Sequence, residues 1–381
     1  MCFHVSSFDS CDASQPHQLP LHPAPQAAPH RRAAKILAAG TAVVLTLTAC
    51  GSTTSGSPTS GSSTSSSATG ADQPADITFA LDWAPNTNHI GVYVAQELGY
   101  FDDAGLDVEI LPYGSTNVLQ LVSAGEADFG IGSQSSVQMA RTAGLDVISV
   151  LSATQTDAGR LVTMESREDI TRPKNLDGKI FGGFGSPLYA AIVKKMITAD
   201  GGTGEFTEVS LDTGSYEALS QGKIDFTLSV STWEDVQGEI ENRPYRAFRY
   251  QDYGVPDQHS LGIVSSDAFL SSRHDDAAAF VQAVARGFDY AAKNPKEAAD
   301  LLIQANPDTL GTAEELVHRS TELLASEFFV SEDRPVGATS PKMWENYGSF
   351  LFNNGILVDK EGKPLTEEPD WSEYFTNEFV G

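Results

Sequence analysis

The chain has 381 residues and carries 24 Lys and Arg against 51 Asp and Glu, which gives a formal net charge of −27. Such an acidic exterior disfavours nucleic acids and anionic membrane surfaces as partners. The same charge is a general aid to solubility, so it says little about a small-molecule ligand.

The N-terminal region has the pattern of an export signal. Three basic residues between Arg31 and Lys35 precede the uncharged run Ile36–Leu47, which is shorter than the roughly 18 apolar residues that span a bilayer. We therefore predict that residues 1–49 are a leader and signal peptide, cleaved before Cys50. Leu47-Thr48-Ala49-Cys50 resembles the bacterial lipobox, which implies a lipid on Cys50. The alternative is a signal peptide with an incidental cysteine.

The predicted mature chain has no cysteine besides Cys50, since the other two are Cys2 and Cys11. It can therefore form no internal disulfide and no cysteine-based metal site, and a packed core must supply its stability. Residues 50–75 are dominated by Ser, Thr and Gly, and this composition predicts a flexible tether.

After Ala75, short apolar runs alternate with amphipathic stretches, which predicts βαβ units and doubly wound, mostly parallel sheets. The first set comprises strands at Ile77–Leu81, Val108–Leu111, Phe129–Ile131 and Val147–Leu151, and helices at Ile90–Leu98, Val118–Ala124 and Ser136–Ala143. The second set comprises strands at Lys179–Gly182, Glu208–Leu211, Asp225–Val230 and Ala247–Tyr250, and helices at Pro187–Ala199, Ser215–Gln221 and Trp233–Glu241. The remainder, from Asp275 onward, is predicted to be mostly helical. The two sets of strands and helices imply that the chain folds into two lobes.

Ligands of open α/β sheets bind at the carboxyl ends of the strands, so the loops after the strands are candidate site segments. These loops are Asp82–His89, Tyr113–Thr116, Gly132–Ser135, Gly182–Pro187, Asp212–Ser215 and Ser231–Glu234. They contain aromatic and neutral polar residues and a few carboxylates, but no Lys or Arg. This composition favours a planar, N–H-rich, neutral or weakly cationic heterocycle over an anion.

Nine residues in and beside these loops are the candidate ligand contacts. They are Trp83, Asn86, His89, Tyr113, Gly114, Phe184, Tyr189, Trp233 and Glu234. Several have structural alternatives: Trp83 as a buried residue of its lobe, Glu234 as an acid that complements a helix dipole, and His89 as a helix cap or packing residue. Asp82 is expected to be structural.

The segment Leu81–His89, continued through Ala95–Phe101 and Gly105–Val108, resembles the opening of the NMT1/THI5-like (SsuA/THI5) family of thiamine pyrimidine precursor proteins. This family groups binding lipoproteins for precursor uptake with fungal and plant enzymes that make hydroxymethylpyrimidine phosphate. Further matches are Ala124–Gly130, Gly182–Pro187, Gly222–Asp225, Trp233-Glu234 and Tyr253–Asp257, so the resemblance covers roughly residues 76–300.

The resemblance implies a type II periplasmic-binding-protein fold with a hinged cleft. Lobe 1 would comprise 76–163 and 262–381 and lobe 2 would comprise 164–261, with crossings near Leu161–Met164 and Ser260–Val264. It also implies that Trp83 and Asn86 touch the ligand with Tyr113 beneath, and that Glu234 accepts N–H groups from an aminopyrimidine edge.

The function implied is an extracytoplasmic, lipid-anchored, monomeric binding protein that serves an ABC permease and ATPase. It would need no cofactor or metal. The ligand would be a formylaminopyrimidine or hydroxymethylpyrimidine, with a riboflavin-like heterocycle or taurine, sulfonate or nitrate as alternatives. A synthase-like enzyme is disfavoured, because Asp257-Gln258-His259-Ser260 stands where the enzyme branch has a cysteine-rich iron motif.

Overall fold

The computed structural model describes residues 73–211 and 214–380. The predicted signal peptide, Cys50 and nearly all of the predicted tether lie outside the described residues, as do Asp212 and Thr213 of one predicted site loop. Within the described ranges, no helix is both long and apolar enough to cross a membrane.

Ten strands and thirteen α-helices follow one another along the described chain. The strands are β1 (Ala75–Ala80), β2 (Leu106–Leu111), β3 (Phe129–Gly132), β4 (Ile148–Ser152), β5 (Gly159–Met164), β6 (Ile180–Gly183), β7 (Thr207–Ser210), β8 (Phe226–Val230), β9 (Tyr245–Arg249) and β10 (Gly262–Ser265). The helices are α1 (Ile90–Glu97), α2 (Tyr100–Asp103), α3 (Val118–Ala124), α4 (Gln134–Thr142), α5 (Pro187–Ala199), α6 (Gly214–Ser220), α7 (Val236–Ile240), α8 (Asp267–Ser272), α9 (His274–Lys293), α10 (Pro295–Ala305), α11 (Pro307–Leu310), α12 (Glu314–Leu323) and α13 (Pro341–Asn353).

The strands form two five-stranded sheets with matching topology. The first has the order β2-β1-β3-β10-β4 and the second the order β7-β6-β8-β5-β9. In each sheet four strands run in one direction, and the strand in fourth place, β10 or β5, runs antiparallel to its neighbours. The predicted two-lobed α/β fold with mostly parallel sheets is therefore confirmed.

The chain passes between the sheets at residues 153–158, which precede β5, and at 250–261, which precede β10. Residues 159–163, which the sequence placed in lobe 1, pair within the second sheet: Leu161 lies opposite Leu228 of β8 and Phe248 of β9. The first crossing therefore comes a few residues earlier than expected. The β5 run is as apolar as its neighbours, so the sequence pattern does not show which sheet it joins.

Helix α1, which begins immediately after the first site loop, packs closely against α9. A Cβ atom on Gly287 would lie 2.0 Å from the carbonyl oxygen of Gly91, so only glycine fits at this crossing. This close approach of two backbones fixes the start of α1, and with it the end of the first site loop.

Buried polar side chains connect the two crossing segments. The carboxylate of Asp157 accepts hydrogen bonds from the Gly159 N–H at 2.8 Å and from the Gln258 amide at 2.9 Å. The Gln258 amide group also donates to the Tyr347 hydroxyl at 3.2 Å and accepts from the Ser135 N–H at 3.3 Å. Burial raises the pKa of Asp157. Both crossings are thereby joined to α4 and α13.

His259, next to Gln258, is buried in its neutral form. Its Nδ1 lies 2.7 Å from the Thr154 carbonyl, which can only accept, so Nδ1 carries the proton. Its Nε2 accepts a hydrogen bond from the Ser340 N–H at 2.9 Å. Burial lowers the pKa of His259 to about 4.

We predict that His259 makes the fold sensitive to mild acid. The unfolded chain protonates this residue below about pH 6.5, whereas the folded chain does so only below about pH 4. The free energy of unfolding should therefore fall by about 3 kcal/mol from this residue as the pH drops through that window. Denaturant unfolding at several pH values would measure this loss, and His259→Asn should lack it.

The exposed His274 provides the control for this prediction. Glu378 and Asp275 raise the pKa of His274, so its contribution to stability has the opposite sign and is lost as the pH rises. His274→Asn should therefore keep the acid loss of the wild type. A His259→Asn chain with the full wild-type pH slope would contradict the assignment.

Candidate functional site

Two aromatic residues form an open surface at the carboxyl edge of the first sheet. Trp83 follows β1 and Tyr113 follows β2, its parallel neighbour, so the two loops emerge side by side. The ring centroids lie 5.2 Å apart. The two side chains remain 50% and 49% exposed, so Trp83 is not the buried residue that the alternative required. Gly114, beside Tyr113, is exposed and has open space around it.

The side chains of Asn86 and His89 form hydrogen bonds within the first loop itself. The Asn86 side chain accepts from the Asn88 N–H at 2.9 Å and donates to the Ala84 carbonyl at 2.9 Å, so it caps the short turn Thr87–His89. His89 is fully buried. Its Nδ1 accepts from the Asn86 N–H at 3.3 Å, and its Nε2 lies 2.9 Å from the Asp82 carboxylate.

Through these contacts, Asp82, Asn86 and His89 together hold the conformation of the first loop. Because Nδ1 of His89 accepts a hydrogen bond, Nε2 carries the proton and donates it to Asp82. The pair fixes the loop that presents Trp83. Ligand contact by Asn86 or His89 stays a prediction, and it would require breaking one of these internal hydrogen bonds.

We predict that His89 stabilises this loop as a neutral donor. His89→Ala should lower the free energy of unfolding by about 2–4 kcal/mol, because it leaves a cavity and unpaired buried groups. Asp82→Asn keeps an acceptor oxygen for Nε2–H and should cost less than about 1 kcal/mol. Urea unfolding measures both. If Asp82→Asn cost as much as His89→Ala, the contact would be an ion pair instead.

The glycine-rich loop after β6 carries the second aromatic pair. The ring centroids of Phe184 and Tyr189 lie 6.2 Å apart, and Phe184 is exposed whereas Tyr189 is partly buried. Gly185 has φ +69°, a conformation that favours glycine, and its N–H donates to the Glu208 carboxylate at 3.2 Å. This pair belongs to the second sheet, so the two aromatic pairs lie on different lobes.

The loop after β8 is a wide helical turn, Ser231–Asp235, that leads into α7. The sequence predicted a regular helix from Trp233 onward. In the turn, the Glu234 carboxylate folds back and one of its oxygens accepts from the Val230 N–H at 2.9 Å. Burial raises the pKa of Glu234, and the negative charge of Asp235 adds to that rise. The other carboxylate oxygen of Glu234 can accept hydrogen bonds from a ligand.

Trp233 packs at the contact between the two lobes, and ligand contact by this residue stays a prediction. Its side chain is partly buried and packs against the apolar core of the first sheet, although the residue belongs to the second lobe. Trp233 therefore links the lobes. This contact could not be predicted from the sequence, because the helices that complete the first core come later in the chain.

Three further residues lie in or near this turn and were not predicted. Tyr216 lies in the first turn of α6, and the nearby Glu234 charge adds to the effect of burial in raising its pKa. Asp235 has a buried carboxylate oxygen without a hydrogen-bond partner in the described chain. Arg160 of β5 is buried, attracts Asp235, and donates to the carbonyls of Asp157 and Gly159 at 3.0 and 2.8 Å. Tyr216 and Asp235 carry a sequence signal, since each directly follows a site loop, whereas Arg160 does not.

Comparison with known proteins identifies the family. The NMT1/THI5-like family model matches residues 86–298, more than half of the chain and nearly all of the segment that holds both lobes' site loops. The chain belongs to the NMT1/THI5-like family.

Relatives in this family include binding proteins and enzymes. The chain is 29% identical over 278 residues to the formylaminopyrimidine-binding protein of Halalkalibacterium halodurans, a match that covers 71% of this chain and 83% of that protein. It is 26% identical over 249 residues to a 4-amino-5-hydroxymethyl-2-methylpyrimidine phosphate synthase of Saccharomyces cerevisiae, covering 61% and 73% of the two chains.

Among solved structures, the periplasmic aliphatic sulphonate-binding protein SsuA from Escherichia coli superposes with a TM-score of 0.60 at 11% identity. The match covers 79% of this chain and 97% of that one. This likeness shows that the NMT1/THI5-like chain has the periplasmic-binding-protein fold.

The region that the sequence analysis compared with the enzyme branch is structural in this family member. His259 uses both ring nitrogens within the protein, and Gln258 uses its whole amide group. Asp257 accepts hydrogen bonds from the Thr156 hydroxyl and the Gln251 amide. Among the described residues, no group of three or more His, Cys, Asp or Glu side chains could hold a metal ion.

Proposed function

We propose that this chain is an extracytoplasmic solute-binding lipoprotein of an ABC importer, and that it captures a thiamine pyrimidine precursor between its lobes. The observation that carries the proposal is the combination of an exposed aromatic surface, Trp83 with Tyr113, on one lobe and a partly buried carboxylate, Glu234, on the other. The family relative that binds formylaminopyrimidine supports the choice of ligand.

The chemistry of an aminopyrimidine matches these groups. Its flat ring can stack on Trp83 or Tyr113, and its exocyclic amine can donate to the free oxygen of Glu234. An anion would meet the carboxylate of Glu234, and the site loops contain no basic residue to offset its charge. The same argument makes taurine, other sulfonates and nitrate the weaker candidates, and leaves a riboflavin-like heterocycle as the main alternative.

We predict that the full chain binds formylaminopyrimidine and hydroxymethylpyrimidine and does not bind taurine. Isothermal titration calorimetry with these three compounds and riboflavin would measure this. Binding of taurine alone would contradict the proposal, and tighter binding of riboflavin than of either pyrimidine would replace the ligand while keeping the heterocycle class.

Two variants with the same change in charge test whether Glu234 contacts the ligand. Glu234→Gln should weaken pyrimidine binding roughly 10- to 100-fold, because a charged acceptor is replaced by a neutral amide. Glu241→Gln makes the same change in charge at an exposed position beyond α7 and should leave the affinity unchanged. Equal effects of the two variants would mean that overall charge, and not a contact with Glu234, governs binding.

A binding role is favoured over synthase-like turnover by the occupied side chains at Asp257–His259. A residue that serves catalysis needs polar atoms free to meet the substrate, and those of Gln258 and His259 form hydrogen bonds within and beside the crossing segments. The relation to the yeast synthase keeps the enzyme as the competing class. If the bound pyrimidine is recovered chemically unchanged after prolonged incubation, the chain acts as a binding protein. If the pyrimidine is converted, the chain acts as an enzyme.

The anchor proposed at Cys50 has its own test. In a bacterial host, the wild-type chain should sediment with membranes and be released by detergent but not by high salt, because acyl chains are held by the hydrophobic effect. Cys50→Ala should no longer sediment. If both chains fractionated alike, the cysteine would be incidental to an ordinary signal peptide.

A further inference from the structure

Helix α12 contacts the loops of both lobes that carry the proposed ligand contacts. It packs against the turn Thr87–His89 of the first lobe, and also against the turn Ser231–Asp235 and helix α7 of the second. The segment that contains α12 follows all ten strands in sequence. Helix α12, which follows all the strands in sequence, therefore bridges two loops that are far apart along the chain.

Two consecutive residues of α12 make these connections. The Ser320 hydroxyl shares a hydrogen bond of 2.7 Å with the Thr87 hydroxyl, and both side chains are almost completely buried. Arg319 forms an ion pair with Glu239 of α7. Consecutive helix residues project about 100° apart, so one helix can face both lobes at the same level.

The two connections differ in strength. Thr87 and Ser320 have no other side-chain hydrogen bond in the described chain, so losing either hydroxyl leaves its partner buried and unpaired. Arg319 and Glu239 are both well exposed, and such ion pairs contribute little. The buried hydroxyl pair therefore fixes α12 to the first lobe, while the second lobe is attached more loosely through the ion pair and the packing of Trp233.

We propose that Ser320 is a positioning residue for the ligand site, a proposal that rests on the binding function above. By fixing Thr87, it sets the turn that follows Asn86, and through that turn the loop that presents Trp83. The same helix supports the turn that carries Glu234. Ser320 touches no ligand itself, and it acts by setting where the stacking surface stands relative to the carboxylate.

A double-mutant cycle tests the proposal. Ser320→Ala and Thr87→Val should each weaken binding of formylaminopyrimidine to the full chain by roughly two- to thirtyfold. The double variant should bind about as weakly as either single variant, because both changes remove one shared hydrogen bond. Independent, multiplicative effects would overturn the proposal.

Thr321→Val is the matched control. Thr321 is equally buried on the same helix, but its hydroxyl donates only to the Val317 carbonyl within α12, at 2.8 Å. This variant should lose stability and keep the wild-type affinity. If Ser320→Ala also lost stability but kept wild-type affinity, Ser320 would be merely structural and the proposal would fail.

A measurement without ligand separates this proposal from the ligand assignment. In the ligand-free chain, Ser320→Ala should speed amide hydrogen exchange in Thr87–His89, whereas Thr321→Val should not. If the wild-type chain bound no pyrimidine, the proposed function would fail while this comparison still decided whether Ser320 positions the turn. Unchanged exchange in Ser320→Ala would refute the positioning role.

Discussion

The relative placement of the two sheets depends on the buried hydrogen bond between Asp157 and Gln258 and on the bonds that extend from it. These residues lie on the two segments that cross between the sheets, where apolar packing alone would set no direction. In a low-dielectric setting such bonds are strong when satisfied and costly when broken, so they permit few arrangements. Gln258 extends the connection to α4 and α13, and His259 adds Thr154 and Ser340 to it.

Much of the fold could be predicted from the sequence because its signals are local. Pro187–Ala199 and Val118–Ala124 were predicted with the bounds that the structure shows, since both have helical apolar spacing, Pro187 marks the start of the first and Gly125 the end of the second. The partnership of Leu161–Met164 with the second sheet was not predictable. It depends on antiparallel pairing with β8 and β9, whose residues lie more than 60 positions further along the chain.

The candidate site likewise has a part that could be predicted from the sequence and a part that could not. The rule that ligands bind at the carboxyl ends of strands put Trp83 and Tyr113 among the candidate site residues, and the structure brings their rings together. No such rule shows which hydrogen-bond partners a polar side chain will choose. Asn86 and His89 form their hydrogen bonds within their own loop, and Trp233 packs against a core completed by later helices. Asp157 and Arg160 were not predicted as functional residues, because the sequence around them resembles that of an ordinary strand and the segment before it.

The division of polar groups between the lobes bears on what the cleft recognises. On the first lobe, Asn86 and His89 form their side-chain hydrogen bonds within the loop that presents Trp83, so the part of the lobe around Trp83 and Tyr113 offers mainly stacking area. On the second lobe, Glu234 and Asp235 are partly desolvated carboxylates whose raised pKa values reflect burial. A donor-bearing ring relieves that desolvation, whereas an anion increases it, so the same two acids attract one class of solute and repel the other.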